Sequence, residues 1–227
     1  MKNKTIVFDL DDTLYNEIDY LTSAYKEIAA KLSTYTLTQI DEICIFNLLI
    51  QFYNDKKNPF EEIIRFLHLN EIKKEDLLKL YRNHIPNIKM HLGFDVLLQK
   101  LKKNNYNLGV ITDGRIIQQR NKIHSLGLEQ FVTEIVISEE FGSEKPDIRN
   151  FTFFHDKFPG NTFMYVADNP KKDFISPNQL GWDTVCLLER GRNIHGQNFN
   201  IPMDYLPKYY VRSSEEIFDL INKIKIS

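Results

Sequence analysis

The stretch "IVFDLDDTLY" (residues 6–15) sets three aspartates, Asp9, Asp11 and Asp12, within four positions at the end of an apolar run. Ile6, Val7 and Phe8 read as a buried strand. Carboxylates crowded this closely raise one another's pKa and oppose folding unless a cation or a hydrogen-bond cage offsets them. The cluster is therefore either a solvated turn or a place where something positive sits. On a strand or its extension Asp9 and Asp11 point to one side, and Asp12 points to the other, where it can cap the segment that follows.

Moving outward, similar runs recur at "LGVIT" (108–112), "EIVIS" (134–138), "FMYVAD" (163–168), "DTVCLL" (183–188) and "YYV" (209–211). They are apolar almost throughout rather than alternating, which suits strands covered on both faces of a parallel sheet. Helical patterns separate them. "DVLLQKLKKN" (95–104) puts Val96, Leu97 and Leu101 on one face, and "RIIQQRNKIHSLGL" (115–128) ends near a C-capping Gly127. "PDIRNFTFFHDKF" (146–158) begins with Pro146 in a first-turn position. The alternation predicts an α/β fold, a doubly wound parallel sheet of Rossmann-like form.

The interval between the first two strands is the exception. A βαβ unit needs about 30 residues, and roughly three times that separates Asp9 from Thr112. The surplus reads as helix. Leu21, Tyr25, Ile28 and Leu32 have helical spacing, and Thr38 with Asp41 can cap the apolar stretch from Ile40 to Tyr53. "NPFEEIIRFL" (58–67) and "KKEDLLKLY" (73–81) add two more helices. The expected organisation is a catalytic core of residues 1–15 and 89–227, with a helical cap inserted at 16–88.

Composition narrows the class. The chain has 227 residues, 42% hydrophobic and 26% charged, enough for a sizeable core. A formal net charge of −2 gives no global field favouring nucleic acid or an anionic membrane. Cys44 and Cys186 lie far apart, outside any CxxC, and the histidines lack metal-ligand spacing. "ICIFNLLI" (43–50) is far short of the ~20 residues that span a bilayer, and the run ahead of the aspartates is too short for a signal-peptide core. A cytoplasmic protein, monomer or homodimer, is expected.

Three more segments carry chemistry. In "VITDGR" (110–115) a strand ends at Thr112, and the Asp113–Gly114 turn adds amides that can hold an anion, although an ordinary Asp-Gly turn uses the same residues. In "SEKPD" (143–147) Lys145 immediately precedes an expected helix start, where facing the macrodipole costs about 0.3–1 kcal/mol unless an anion is bound. "YVADNPKKDF" (165–174) ends a strand at Asp168 and offers Asp173 one helical turn later; capping by Asp168 is the plainer reading. Each segment falls at the carboxyl end of an apolar strand or in the loop after it, the edge where open α/β sheets bind ligands. Carboxylates, a hydroxyl and a lysine converging there make a hard-oxygen cation site beside an anion site. Mg²⁺ suits it better than zinc.

With Asp9-x-Asp11-x-Thr13, Thr112, Lys145 and Asp168 with Asp173 in that order, the chain resembles the haloacid dehalogenase-like hydrolase superfamily. The resemblance runs from the first strand through "QLGWDTV" (179–185), and is nearest the phosphatases with a helical cap between the first two motifs. Ala167 stands where the family usually has glycine. The resemblance implies a small-molecule phosphate ester as substrate, Asp9 as nucleophile and Asp11 as general acid and base. It implies Mg²⁺ on the Asp9 and Asp168 carboxylates and the Asp11 backbone carbonyl, with Asp173 one shell out. Thr112 and the Asp113 and Gly114 amides would bind phosphoryl oxygens, and Lys145 would neutralise Asp9 and the transferring group. Asp11 speaks against dehalogenation. A phosphomutase uses the same aspartates, and a receiver-type signalling domain also groups acids, a hydroxyl and a lysine around Mg²⁺. The DxDxT spacing and the insertion speak against the receiver. Tyr15, Tyr20, Phe60, Arg65 and Arg115 are unranked candidates for the leaving-group side, with "ERGRNIHG" (189–196) next in line.

Overall fold

Ile6 and Phe8 bury in one apolar cluster and Val7 in another, so a strand that is apolar at every position is covered on both faces. The computed structural model describes residues 4–35 and 40–224. Its sheet has six strands in the order β3-β2-β1-β4-β5-β6. These are β1 (Lys4–Phe8), β2 (Asn107–Thr112), β3 (Glu134–Ile137), β4 (Thr162–Ala167), β5 (Asp183–Leu187) and β6 (Tyr209–Val211). All five pairings are parallel. β1 sits at the centre, with Phe8 opposite Val110 on one side and Val166 on the other. The expected doubly wound α/β sheet is therefore the observed one.

Between β1 and β2 come α1 (Glu17–Ser33), α2 (Glu42–Asn54), α3 (Pro59–Phe66), α4 (Lys74–Asn83) and α5 (Phe94–Lys103). The first four bury Leu21, Ile28, Ile45, Leu49, Ile63 and Leu77 in an apolar cluster of their own. Asp41 caps α2 by accepting from Cys44 N at 2.7 Å, and Asn58 caps α3, with Pro59 opening it. Thr38, the other expected cap, lies outside the described residues. The end of α4 is stapled to α1. Ser23 Oγ meets His84 Nε2 at 2.7 Å and accepts from Asn87 N at 2.9 Å, while the Glu27 carboxylate contacts the other imidazole nitrogen.

The rest alternates with the sheet: α6 (Ile116–Ser125), α7 (Ser138–Phe141), α8 (Arg149–Lys157), α9 (Ile175–Gln179) and α10 (Ser214–Ile224). Gly127 takes the left-handed conformation expected of it, with φ 64°. One boundary differs. α8 opens at Arg149, because Glu144 to Ile148 form turns and the Asp147 carboxylate accepts from Arg149 N at 2.9 Å. Lys145 thus stands in a turn four residues ahead of α8 rather than at a helix start. Among the described residues no helix is long and apolar enough to cross a membrane.

Candidate active site

Parallel register brings the strand ends together. With Phe8 level with Val110 and Val166, and Asp9 N donating to Val166 O at 2.9 Å, Asp9 leaves β1 between Thr112 and Asp168. Lys145 reaches in from its turn, its side chain wholly buried. Nζ lies 2.5 Å from Asp9 Oδ1, 2.8 Å from Asp173 Oδ1 and 3.2 Å from the Tyr165 hydroxyl. Carboxylate oxygens of Asp9, Asp168 and Asp173 all lie within 4.8 Å of one another. Asp173 is fixed from behind by Asn169 N, which donates to Oδ2 at 3.0 Å. Asp168 accepts from Asn193 at 2.9 Å.

This crowding has an electrostatic signature. Burial, followed by the charge of Asp173 acting against that of Lys145, pushes the Asp9 carboxyl up to about 6. Burial and then the charges of Asp9 and Asp173 hold Asp168 well above the usual carboxylate range. Three buried carboxylates, with Lys145 in direct contact with two of them and Lys172 acting from farther off while itself paired with Asp113, are short of positive charge, and the donors are hard oxygens. The set therefore fits a divalent cation of the magnesium kind.

Asp11 is handled differently. Its side chain turns toward α6, where Lys122 Nζ is 2.7 Å from Oδ1 and Gln119 Nε2 is 2.8 Å from Oδ2. The Tyr15 hydroxyl also donates to Oδ1. Burial alone would raise the Asp11 carboxyl, but Lys122 and these hydrogen bonds outweigh it and hold the group below its usual value. Both Asp11 carboxylate oxygens are thus engaged on the α6 side. Asp12 adopts φ 57°, and its two oxygens accept from Glu17 N and Ile194 N, each at 2.8 Å.

Asp9, Asp11, Thr112, Asp113 and Asp168 open onto one cleft of about 120 Å³. The anion side is narrower than expected. Gly114 N already donates to Ser138 Oγ at 2.9 Å, a partner that β3 brings alongside, so it is not free for a phosphoryl oxygen. The Asp113 carboxylate faces cations instead, accepting from Lys145 N at 3.0 Å and pairing with Lys172 at 2.8 Å. Glu17 and Lys172 also line the cleft and were not among the expected residues, as does His195, from the candidate segment 189–196. Burial and then the charge of Asp11 push Glu17 up to about 8.

The family model for haloacid dehalogenase-like hydrolases matches residues 6–187. The chain belongs to that family. This hydrolase is 27% identical to the glyceraldehyde 3-phosphate phosphatase of Methanocaldococcus jannaschii, over 98% of both chains. It is 24% identical to the protein of the same name from Methanopyrus kandleri, over 97% of this chain and 98% of the relative. Among solved structures, the HAD-hydrolase YfnB of Bacillus subtilis, in a magnesium-bound form, superposes with a TM-score of 0.63 at 18% identity, covering 98% of this chain and all of that one.

Lys122, Gln119, Tyr165 and Lys172 were missed in the sequence. Gln119 and Lys122 sit three apart in "RIIQQRNKIH", a stretch marked in the sequence only as a helix ending near Gly127. The only available signal was that this spacing puts them on the same side of a helix that follows Thr112 directly.

Proposed function

We propose that this hydrolase is a Mg²⁺-dependent phosphatase that cleaves a small phosphomonoester through an aspartyl phosphate on Asp9. The observation that carries the reading is the buried meeting of Asp9, Lys145, Asp168 and Asp173, with Asp11 and Thr112 opening onto the same cleft. An Asp9 oxygen attacks phosphorus in line, the bond from phosphorus to the leaving oxygen breaks, and Asp11 gives that oxygen its proton. Water then attacks the phosphorus of the acyl phosphate, Asp11 takes its proton, and Asp9 and inorganic phosphate are released. Lys145 neutralises Asp9 and the transferring group, while the Thr112 hydroxyl and Asp113 amide hydrogen-bond phosphoryl oxygens. Magnesium, held by Asp9, Asp168 and the Asp11 carbonyl with Asp173 behind them, would supply positive charge against the developing phosphoryl charge.

The substrate reading is a small sugar phosphate of triose size. The two methanogen relatives carry the name glyceraldehyde 3-phosphate phosphatase. The cleft of about 120 Å³ is also well below the roughly 300–1,000 Å³ of a drug-sized site. Residues 16–88 act in this reading as the cap over the leaving group, supported by their separate apolar cluster and by Glu17 at the cleft. Membership of the hydrolase family sets the receiver-type alternative aside, and the phosphomutase alternative is separated by assay.

The test is phosphate release from p-nitrophenyl phosphate and glyceraldehyde 3-phosphate, with Mg²⁺ and then with excess chelator, for the parent and Asp9→Asn. Chelation and the substitution should each abolish turnover while the circular dichroism of the variant stays that of the parent. Activity that survives chelation removes the metal from the reading, and turnover by Asp9→Asn removes the nucleophile. With a hexose 1-phosphate, transfer to another hydroxyl faster than phosphate release would make the enzyme a mutase.

A further inference from the structure

Lys122 is a lysine in the wrong place for solvation. Its side chain is 2% exposed, its Nζ lies 2.7 Å from Asp11 Oδ1, and the other side of that ammonium faces the Tyr20 ring, 4.7 Å from the centroid. Tyr20 is held in turn by donating its hydroxyl to Tyr81 O at 2.5 Å. One turn earlier on α6, buried Gln119 directs Nε2 at Asp11 Oδ2 (2.8 Å), Thr112 Oγ1 (2.5 Å) and Asp113 O (3.1 Å). Desolvating an ammonium and an amide to this extent is costly unless every donor is used, and here they converge on one carboxylate.

From this geometry we infer that Lys122 and Gln119 are positioning residues for Asp11, fixing the orientation of its carboxylate and how far Oδ2 stands from the phosphoryl site. Oδ1 is taken up by Lys122 and Tyr15, which leaves Oδ2 as the oxygen on the Gln119 and Thr112 side. Gln119 bonds Oδ2 and Thr112 Oγ1 through a single nitrogen, and so sets the spacing between the proton donor and the hydroxyl that would bind the phosphoryl group. Neither residue is among those lining the cleft; Lys122 acts through Asp11, and Gln119 through Asp11 and the Thr112 hydroxyl together. The inference rests on the phosphatase reading above.

Proton donation matters in proportion to the basicity of the leaving oxygen. An alkoxide needs the proton, whereas p-nitrophenolate departs without it. The experiment compares kcat/KM, which reports the phosphorylation step, for glyceraldehyde 3-phosphate and p-nitrophenyl phosphate in the parent, Lys122→Met and Gln119→Leu. Each variant should lose about tenfold or more beyond its loss on the aryl ester when the alkyl ester is used. Gln119→Leu removes no charge and leaves the Lys122–Asp11 pair in place, so it serves if Lys122→Met fails to fold. Equal proportional losses on the two esters, the pattern of a merely structural role, overturn the inference and leave the phosphatase reading standing. A parent enzyme inactive on both esters would remove the two together.

Discussion

Lys145 is a buried cation whose Nζ meets only oxygen, from Asp9, Asp173 and Tyr165. Breaking a buried ion pair by removing one partner typically costs about 3–5 kcal/mol, because the remaining charge has nothing to offset it. Lys145→Met should therefore lose about that much stability in metal-free buffer, since Lys172 is already paired with Asp113. Mg²⁺ binds only the folded carboxylate set and should return part of the loss. Urea denaturation with and without Mg²⁺ checks both parts, and a metal-free variant as stable as the parent would mean that Lys145 contributes no net charge compensation. The sequence pointed to Lys145 through the dipole of a helix that begins four residues later, at Arg149. In the structure its partners are the Asp9 carboxylate just past β1 and the Asp173 carboxylate in the loop after β4, which only tertiary contact brings near. Lys122 shows the opposite case. It is a charged residue on an ordinary-looking helix, and its burial depends on Asp11 and Tyr20, more than 100 positions away.

At the scale of elements, Asp12 joins two pieces that the sheet alone would leave separate. The residue at the N-cap of α1, Asn16, makes no side-chain cap hydrogen bond, and Asp12 supplies one from upstream through Glu17 N. Its second oxygen holds Ile194 in the loop after β5, the loop that also sends Arg192 to Asp19 and Asn193 to Asp168. Asp12→Ala loses both acceptors and puts alanine at a positive φ, for about 1–3 kcal/mol. Asp12→Asn keeps one acceptor and tolerates that backbone, so it should lose less. Thermal denaturation of the pair gives the order, and equal melting temperatures would mean that the two hydrogen bonds carry no weight. The role of Asp12 as a cap was legible in "DLDDTLY", but strand alternation does not turn it away from its neighbours, since it leaves the strand at a positive φ and lines the same cleft as Asp9 and Asp11. Its hold on the loop after β5 was not legible, because no local pattern links positions 12 and 194.

For the molecule as a whole, the strands were legible because a parallel sheet covered on both faces leaves runs with no polar alternation, and each observed strand falls within one or two residues of its run. The helices between β1 and β2 were legible from spacing and from Asn58–Pro59. The pairing order 3-2-1-4-5-6 follows from no single run, since any of these strands could flank β1. That order gives the nucleophile its setting. β1 is hydrogen-bonded on both sides and its Ile6, Val7 and Phe8 are fully buried, whereas α2 buries only Ile45 and Leu49. Opening free energies range from near zero in weakly packed segments to the global value in a core strand. In deuterium oxide the amides of Ile6 to Phe8 should therefore exchange last, at the rate of global unfolding, while those of α2 exchange through local opening. Mass spectrometry of peptic peptides would resolve the two. Protection of β1 no greater than that of α2 would mean that Asp9 does not stand on the most slowly exchanging part of the chain.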